Sequence, residues 1–282
     1  MPIRTGIPAV LAFVLAVVAV TAPSPARCDL SGEHHPWFED DFLVSLGSFL
    51  PNKSVKMNAD GQVPGSEIDF TNGLDATSDE ITPSGTLRWK FGDKWSLWGQ
   101  YFKTSDSGEK TIDGAIIWDD VEYQAGATLE AGVDLTVTRI FFGRIFSKGE
   151  QYEFGAGAGL HWLKLGAFVQ GEAYIGDETA AIRRESVSAH APLPNIGAWY
   201  WYEFSPRWLL TTRVDWLGAT IGEYSGDLWN ANAGINFQAW KNVGFRLSYQ
   251  WFKLNVDVDK DDWHGGTNLT YEGPFASINF NW

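Results

Sequence analysis

The chain has 282 residues and a formal net charge of −14, and this acidic balance argues against nucleic acid as a partner. Cys28 is the single cysteine, which excludes a disulfide framework and a thiolate metal cluster. The chain carries 15 Trp, 18 Phe and 9 Tyr, yet its mean hydropathy is only −0.18. Many aromatic residues at low hydropathy are typical of a membrane barrel with an apolar outer band and a polar interior.

The N-terminus predicts export. Arg4 precedes an apolar run over residues 7–22, and Ser24-Pro25-Ala26 supplies the small residues that a signal peptidase recognises. These features predict a secretory signal peptide over residues 1–26. Residues 27–40 are predicted to form a periplasmic N-terminal segment, followed by the barrel over 41–282. His34 and His35 in this segment lack a third ligand, so they do not predict a metal site.

Segments about ten residues long alternate between apolar and polar residues along the rest of the chain. Apolar residues occupy the odd positions from Trp229 to Phe237, whereas amides and glycine occupy the even ones. Successive side chains of a strand point to opposite faces, so each segment predicts a strand with one apolar and one polar face. The predicted strands span 41–50, 83–92, 95–104, 132–146, 151–163, 193–204, 208–220, 228–239, 243–256 and 269–282.

The connections between these strands alternate in length. Short ones lie at 92–94, 147–150, 205–207 and 241–242, and long ones lie at about 51–82, 105–130, 165–192, 221–227 and 258–267. Residues 67–70 in the first long connection could form a short strand of their own. The alternation predicts an all-β fold, a closed antiparallel transmembrane β-barrel of about ten strands with short periplasmic turns and long extracellular loops.

The C-terminus resembles a known assembly signal of outer-membrane barrels. Ile278, Phe280 and Trp282 place apolar side chains at alternate positions up to the last residue, as in the signal that the barrel-assembly machinery of Gram-negative bacteria recognises. Other stretches resemble a family of uncharacterised proteobacterial outer-membrane barrels: Gly73-Leu74-Asp75, residues 87–92, residues 157–161, Tyr224-Ser225-Gly226 and residues 242–245. The resemblance implies a place in the outer membrane, reached through the periplasm, but it implies no activity.

Charged residues on the predicted inward faces could form a network inside the barrel. A narrow barrel fills its interior with side chains, and buried charges must be paired. The favoured interpretation is an internal salt-bridge network, and the alternative is a charged constriction in a small channel. The predicted network comprises Arg88, Lys90, Arg144, Glu153, Glu203, Arg213, Asp215 and Arg246.

Catalytic chemistry receives weaker support. His161 is predicted to be a hydrogen-bonded interior residue. Asp257 and Asp259 form one acid pair, with His264 nearby, and are similar to part of the extracellular site of omptin-type proteases. The sequence lacks a second rim element of the matching form, such as Asp-x-His late in the chain combined with Asp-x-Asp early. Ser188 and His190 could suggest an acyl hydrolase, but nothing supplies an orienting acid. No catalytic, cofactor or metal site is predicted.

Three functions remain open. The leading hypothesis is a structural or surface-interaction barrel with a largely filled polar lumen. A narrow porin-like channel for ions or small solutes is second, and an outer-membrane hydrolase acting on protein or lipid is third. The expected partners are outer-membrane lipid, lipopolysaccharide at the acidic outer rim, and the assembly machinery during biogenesis.

Overall fold

A computed structural model describes residues 34–50, 52–60, 68–69, 82–112, 114–118, 121–175, 178–260 and 263–282. The predicted signal peptide lies outside these residues. The elements in chain order are α1 (Pro36–Glu39), β1 (Phe42–Phe49), β2 (Asn52–Asp60), β3 (Ile68–Asp69), β4 (Thr82–Phe91), β5 (Trp95–Thr111), β6 (Ile116–Trp118), β7 (Val121–Tyr123), β8 (Thr128–Lys148), β9 (Tyr152–Ile175), β10 (Glu178–Ser205), β11 (Trp208–Ile221), β12 (Tyr224–Trp240), β13 (Val243–Lys260) and β14 (Trp263–Asn281).

Ten of these strands form a closed ring in which every neighbouring pair is antiparallel. The order is β1, β4, β5 and then β8 to β14, and β14 pairs back with β1 from Leu43↔Asn281 to Phe49↔Phe275. Strand β2 continues above β1 along β14, and the β6–β7 hairpin lies off the ring and pairs with β9. The predicted closed antiparallel barrel of ten strands is confirmed.

The two ends of the barrel differ. At one end, here called the turn end, neighbouring strands are joined by the short turns at 92–94, 149–151, 206–207 and 241–242. At the opposite end, the hairpin end, the strands run further than predicted. Residues 165–192, 221–227 and 258–267 were expected to be loops, and almost all of them belong to strands. The short strand that the sequence left open within 67–70 is present as β3.

Large apolar side chains cover the outside of the barrel nearest the turn end. A continuous band of exposed apolar residues is stable in lipid but not in water, so this part of the barrel is the transmembrane part. Members of this band, here called the apolar belt, include Leu46, Leu87, Trp89, Leu97, Tyr101, Ile140, Phe142, Phe154, Leu160, Trp162, Ile196, Val214, Trp216, Leu247, Tyr249, Ile278 and Phe280.

No helix among the described residues is long and apolar enough to cross a membrane.

Toward the hairpin end the polarity of the two faces is reversed. The ladder between β10 and β11 ends at Ile196↔Trp216, and above it two walls face each other. The first wall comprises β5, β8, β9 and β10, and the second comprises β11 to β14 with β2. Phe102 of the first wall packs edge-on against Phe252 of the second, with ring centroids 6.1 Å apart. The buried cluster between the walls, here called the upper core, includes Trp118, Tyr123, Leu129, Val133, Leu135, Val137, Leu163, Leu165, Val169, Leu193, Leu228, Leu254, Leu269 and Tyr271.

The expectation of a polar interior therefore fails at the hairpin end. In the half next to the turn end, buried polar side chains share the interior with a second, smaller apolar cluster that includes Trp199 and Trp201.

Candidate functional site: a plugged lumen

Residues 34–40, here called the plug, occupy the lumen at the turn end. These residues were predicted to be part of a separate periplasmic segment, but His35, Trp37 and Phe38 are all buried. Pro36 begins the single helical turn, and His35 caps it because its Nδ1 accepts a hydrogen bond from the Trp37 backbone N–H at 3.2 Å. The Trp37 ring lies 5.3 Å from that of Trp201 on β10, so the barrel wall holds the plug by aromatic packing.

Cationic side chains of the wall bind the carbonyl groups of the plug. Arg88 donates to the carbonyl of Trp37 at 2.7 Å and to that of Asp40 at 3.2 Å. Lys90 donates to the carbonyl of Phe38 at 2.9 Å and to that of Glu39 at 3.1 Å. Hydrogen bonds from ionised donors are about twice as strong as neutral ones. Arg88 and Lys90 therefore hold the plug, whereas the sequence predicted that they pair with carboxylates.

His35 is held as a neutral ring. Its backbone N–H donates to Glu203 Oε2 at 3.0 Å, and the side-chain amide of Asn236 lies 3.1 Å from its Nε2. Burial lowers the pKa of His35 to about 3, and the charge of Arg88 acts in the same direction. A doubly protonated ring has no nitrogen left to accept from the Trp37 N–H, so the hydrogen bond also requires the neutral form.

A buried ion cluster centred on Asp215 lies in the lumen above the plug. Arg139 donates to Asp215 Oδ1 at 2.7 Å, and Arg213 donates to both carboxylate oxygens at 3.0 Å. The amide of Asn195 lies 3.3 Å from Asp215 Oδ1, and its own Oδ1 lies 3.1 Å from His161 Nδ1. Two guanidinium groups and the amide satisfy the carboxylate, which is the arrangement that a buried charge requires.

Trp199 fills the lumen between the plug and this cluster. Its Nε1 donates to Glu153 at 2.9 Å, and its ring lies directly over Gly155 and Gly143 on the neighbouring strands. A Cβ at Gly155 would collide with the indole. Gly155 and Gly143 therefore leave room for a large side chain across the lumen.

The last two members of the predicted network differ in their positions. Arg246 faces inward and donates to Asn232 Oδ1 at 2.6 Å. Arg144 is exposed on the outer face and lies over the Trp95 ring at 5.4 Å, so the prediction that it faces inward is wrong. On β8 the odd residues face inward, and Arg139 is the arginine that reaches the lumen.

Both faces of β8 are apolar near the turn end, which explains the error. Phe141 and Ile145 face inward and pack with Trp37 of the plug, whereas Phe142 and Phe146 face outward. The period-two pattern is therefore ambiguous there. The spacing of Ile140, Phe142 and Phe146 is a signal that could have placed Arg139 inside.

The residues considered for hydrolysis lie on the outer surface. Asp259 and His264 are paired across β13 and β14, with Oδ1 and Nε2 2.6 Å apart and both side chains exposed. Leu254 and Val256 of β13 face the upper core, so Asp257 and Asp259 project away from it. Ser188 and His190 are likewise exposed on β10. Among the described residues, no group of three or more His, Cys, Asp or Glu side chains could hold a metal ion.

The C-terminal residues Ile278, Phe280 and Trp282 lie on the outer face of the barrel. Phe280 pairs with Val44, and Ile278 pairs with Leu46 on the first strand. The Trp282 ring stacks on Phe42 at 5.8 Å. The three apolar side chains thus line the strand that closes the ring.

No protein-family model and no curated protein matches the chain. Among solved structures it is similar to the outer-membrane protease OmpT of Escherichia coli, with 10% identity and a TM-score of 0.58, over 86% of this chain and 97% of that one. The translocator domain of the autotransporter NalP of Neisseria meningitidis matches at 11% identity and a TM-score of 0.43, over 97% and 99% of the two chains. The Pseudomonas putida toluene transporter TodX matches at 11% identity and a TM-score of 0.37, over 91% and 94%. At 10% identity the likeness to OmpT shows the fold alone, which is that of a bacterial outer-membrane β-barrel.

Proposed function

We propose that this chain is a non-conducting outer-membrane protein of structural or surface-interaction type. It is exported through the periplasm, and its turn end, where the described residues begin at His34 and end at Trp282, faces the periplasm. The hairpin end then stands at the cell surface. The observation that carries the proposal is closure of the lumen at three successive levels.

The plug closes the turn end. Trp37 and Phe38 are each 2% exposed and pack with inward residues of several strands, including Leu43, Trp201 and Leu209. Asn281 of the last strand donates to the Asp40 carboxylate at 2.6 Å. The plug is therefore bound on both sides of the mouth.

The Asp215 cluster and the upper core close the rest of the lumen. Asp215 is fully buried between its partners, so its charge is compensated and does not face a water-filled path. Above it, Leu135, Leu228 and Leu269 have no exposed surface. A conducting pore leaves its inward side chains accessible to water, and ions do not cross a packed apolar layer. Closure at each level counts against a passive channel.

The length of the hairpin end supports a role at the surface. Strands β9 and β10 continue more than ten residues beyond Trp162 and Ile196 of the apolar belt. This extension has its apolar residues inside and leaves a polar exterior, as in a soluble domain. It supplies an outer surface on which a partner could bind.

Single-channel recording in a planar bilayer tests the proposal. Refolded protein is first checked for the shift in migration on SDS gels that heating produces in folded barrels. Wild type and the plug variant Trp37→Ala/Phe38→Ala are both expected to be silent, because the upper core closes the lumen without the plug. Reproducible steps that scale with salt concentration in the wild type would overturn the proposal and favour a channel.

The observation that favours a hydrolase is the exposed Asp259–His264 pair. Hydrolysis of a fluorogenic peptide mixture or of phospholipid vesicles by the wild type, lost in His264→Ala, would support it. The pair lies exposed on the outer face, so the expected result is equal background release by both proteins.

A further inference from the structure

A row of basic and polar side chains crosses the outer face of the first wall. Lys103 on β5 pairs with Thr136 on β8, Thr136 pairs with Lys164 on β9, and Lys164 pairs with His190 on β10. These four residues, here called the basic row, are cross-strand neighbours with outward side chains. Neighbouring strands lie about 4.8 Å apart, so the row extends over about 14 Å.

The basic row lies directly above the border of the apolar belt. The next row toward the turn end consists of Tyr101, Thr138, Trp162 and Pro192 in the same register. Tyr101 and Trp162 are exposed aromatic residues, of the kind that marks the level of lipid headgroups. The sequence therefore places an aromatic residue and then a lysine at successive outward positions of two strands that leave the membrane.

The inner faces of the same strands locate the border independently. Lys164 is flanked by Leu163 and Leu165, which belong to the upper core. His161, the inward residue that precedes Leu163 toward the turn end, belongs to the polar lumen. The inward face thus changes from polar to apolar at the level where the outward face changes from apolar to basic. Both changes are expected where a strand passes from lipid into water.

The lysines are available for a ligand. Both are exposed, and within the described residues neither has a carboxylate partner. Their charge stands out in a chain whose net charge is −14. The corresponding row of the second wall is Trp229, Lys253, Thr270 and Ser54, which holds one lysine.

We propose that the basic row binds the phosphate groups of a phosphorylated lipid in the leaflet at the hairpin end. Lysine ammonium groups near a membrane surface attract anionic headgroups, and their methylene stems can lie along the apolar belt. Thr136 and His190 add hydrogen-bonding groups between and beside the two lysines. This inference rests on the proposed orientation of the barrel, with its hairpin end at the cell surface.

The test uses lipid A, a phosphorylated lipid, in phosphatidylcholine vesicles. The midpoint temperature of the heat-induced migration shift is followed as the lipid A fraction rises. The midpoint temperature of the wild type is expected to rise with the lipid A fraction and then level off. Lys103→Gln/Lys164→Gln is expected to need about 30-fold more lipid A for the same rise, because each lysine near the surface contributes about fivefold to the affinity. Lys103→Arg/Lys164→Arg is expected to bind as the wild type does.

The matched control is Lys94→Gln/Lys241→Gln, which removes two exposed lysines from turns at the opposite end. It is expected to keep the affinity of the wild type. Equal affinity in Lys103→Gln/Lys164→Gln, or an equal loss in the control, would overturn the site, as would an equal midpoint shift with inorganic phosphate alone. If the double variant does not fold, each single glutamine variant is measured for the fivefold loss. Channel recordings report separately on the proposed function, because the substitutions lie outside the lumen.

Discussion

The two halves of β9 differ in which face of the strand carries the apolar residues. In the half near the turn end, Phe154, Leu160 and Trp162 face outward, and Glu153 and His161 face inward. In the half near the hairpin end, apolar residues face inward and Lys164 faces outward. The strand does not change which residues point inward, because odd positions face the interior throughout. Only the chemistry of the residues changes, and the change follows the solvent, with lipid around one half and water around the other.

The comparison shows what stabilises each half. In the membrane half, lipid receives the outward apolar residues. Its interior combines the buried polar Asp215 cluster with the aromatic and apolar side chains that pack around the plug. The half near the hairpin end stands in water and gains from its upper core about 25 cal/mol for each Å² of apolar surface that it buries. The two halves should therefore be sensitive to different substitutions.

The largest effect is expected from a charge in the upper core. Leu135 is fully buried, and Leu135→Asp would place a carboxylate there without a partner. A loss of more than about 5 kcal/mol in unfolding free energy is expected, enough to prevent stable folding of the extension. Urea unfolding in detergent micelles measures it. Asp134→Leu, on the exposed side of the same strand, serves as the control and should change stability by less than about 1 kcal/mol.

Removal of the central carboxylate tests the polar half. Asp215→Asn would leave Arg139 and Arg213 buried without an anion, and a loss of about 4 kcal/mol is expected. Arg213→Ala should cost less, because Arg139 still pairs with Asp215. Equilibrium unfolding compares the two variants. Wild-type stability in both would mean that the cluster does not hold the barrel together.

Exchange measurements on the plug test whether it opens separately from the barrel wall that surrounds it. Trp37→Ala removes an indole that is 2% exposed and should weaken docking of the plug by about 3 kcal/mol. Hydrogen–deuterium exchange of a peptide covering residues 34–40 should accelerate, whereas exchange in β9 should not. Trp282→Ala, at an exposed position of the same end, is the control. Acceleration throughout the barrel would show that the plug is part of its folding core.

The smallest effect is a pH dependence of the plug. His35 has a pKa of about 3 when docked and about 6.5 when free, so its contribution to docking is complete above pH 6.5. It is lost progressively as the pH falls toward 3, because only the undocked ring takes up a proton. At pH 5 the expected loss is about 2 kcal/mol. Exchange of residues 34–40 at pH 7 and 5, corrected for intrinsic rates, measures it.

Two further variants identify the residue that causes the pH dependence. His35→Gln should remove the pH dependence. His34→Gln should retain it, since His34 is partly exposed and approaches Glu203 only to 3.7 Å. A dependence that survives in His35→Gln would have to come from another group.

The sequence predicted the barrel well because lipid imposes a strong pattern. Wherever one face met lipid, alternation placed the strand and its inward residues, as for Arg213 and Asp215. The pattern became ambiguous where both faces were apolar, and Arg144 was placed inside in error. It also failed at the hairpin end, where residues 165–171 continue the alternation with apolar residues inside, and where the strand residues 165–175 and 178–192 were interpreted as a loop.

The plug could not be predicted in the same way. Its seven residues are too few for periodicity, and its position depends on contacts such as those of Arg88 and Lys90, far away in sequence. A signal was present in Trp37 and Phe38, two large apolar residues adjacent in an otherwise polar segment. Such a pair needs a buried place, and alternation alone does not say where that place is.

The reversal of polarity along β9 can be tested by site-directed spin labelling. Cys28 is changed to serine, and single labelled cysteines are placed at positions 152 to 170 in protein reconstituted into vesicles. The expected result is that even positions up to 162 are accessible to oxygen dissolved in lipid, that even positions from 164 are accessible to a water-soluble nickel complex, and that positions 163, 165, 167 and 169 are accessible to neither. Access of the nickel complex to those four positions would reveal a water-filled lumen, and lipid exposure beyond 164 would contradict the reversal.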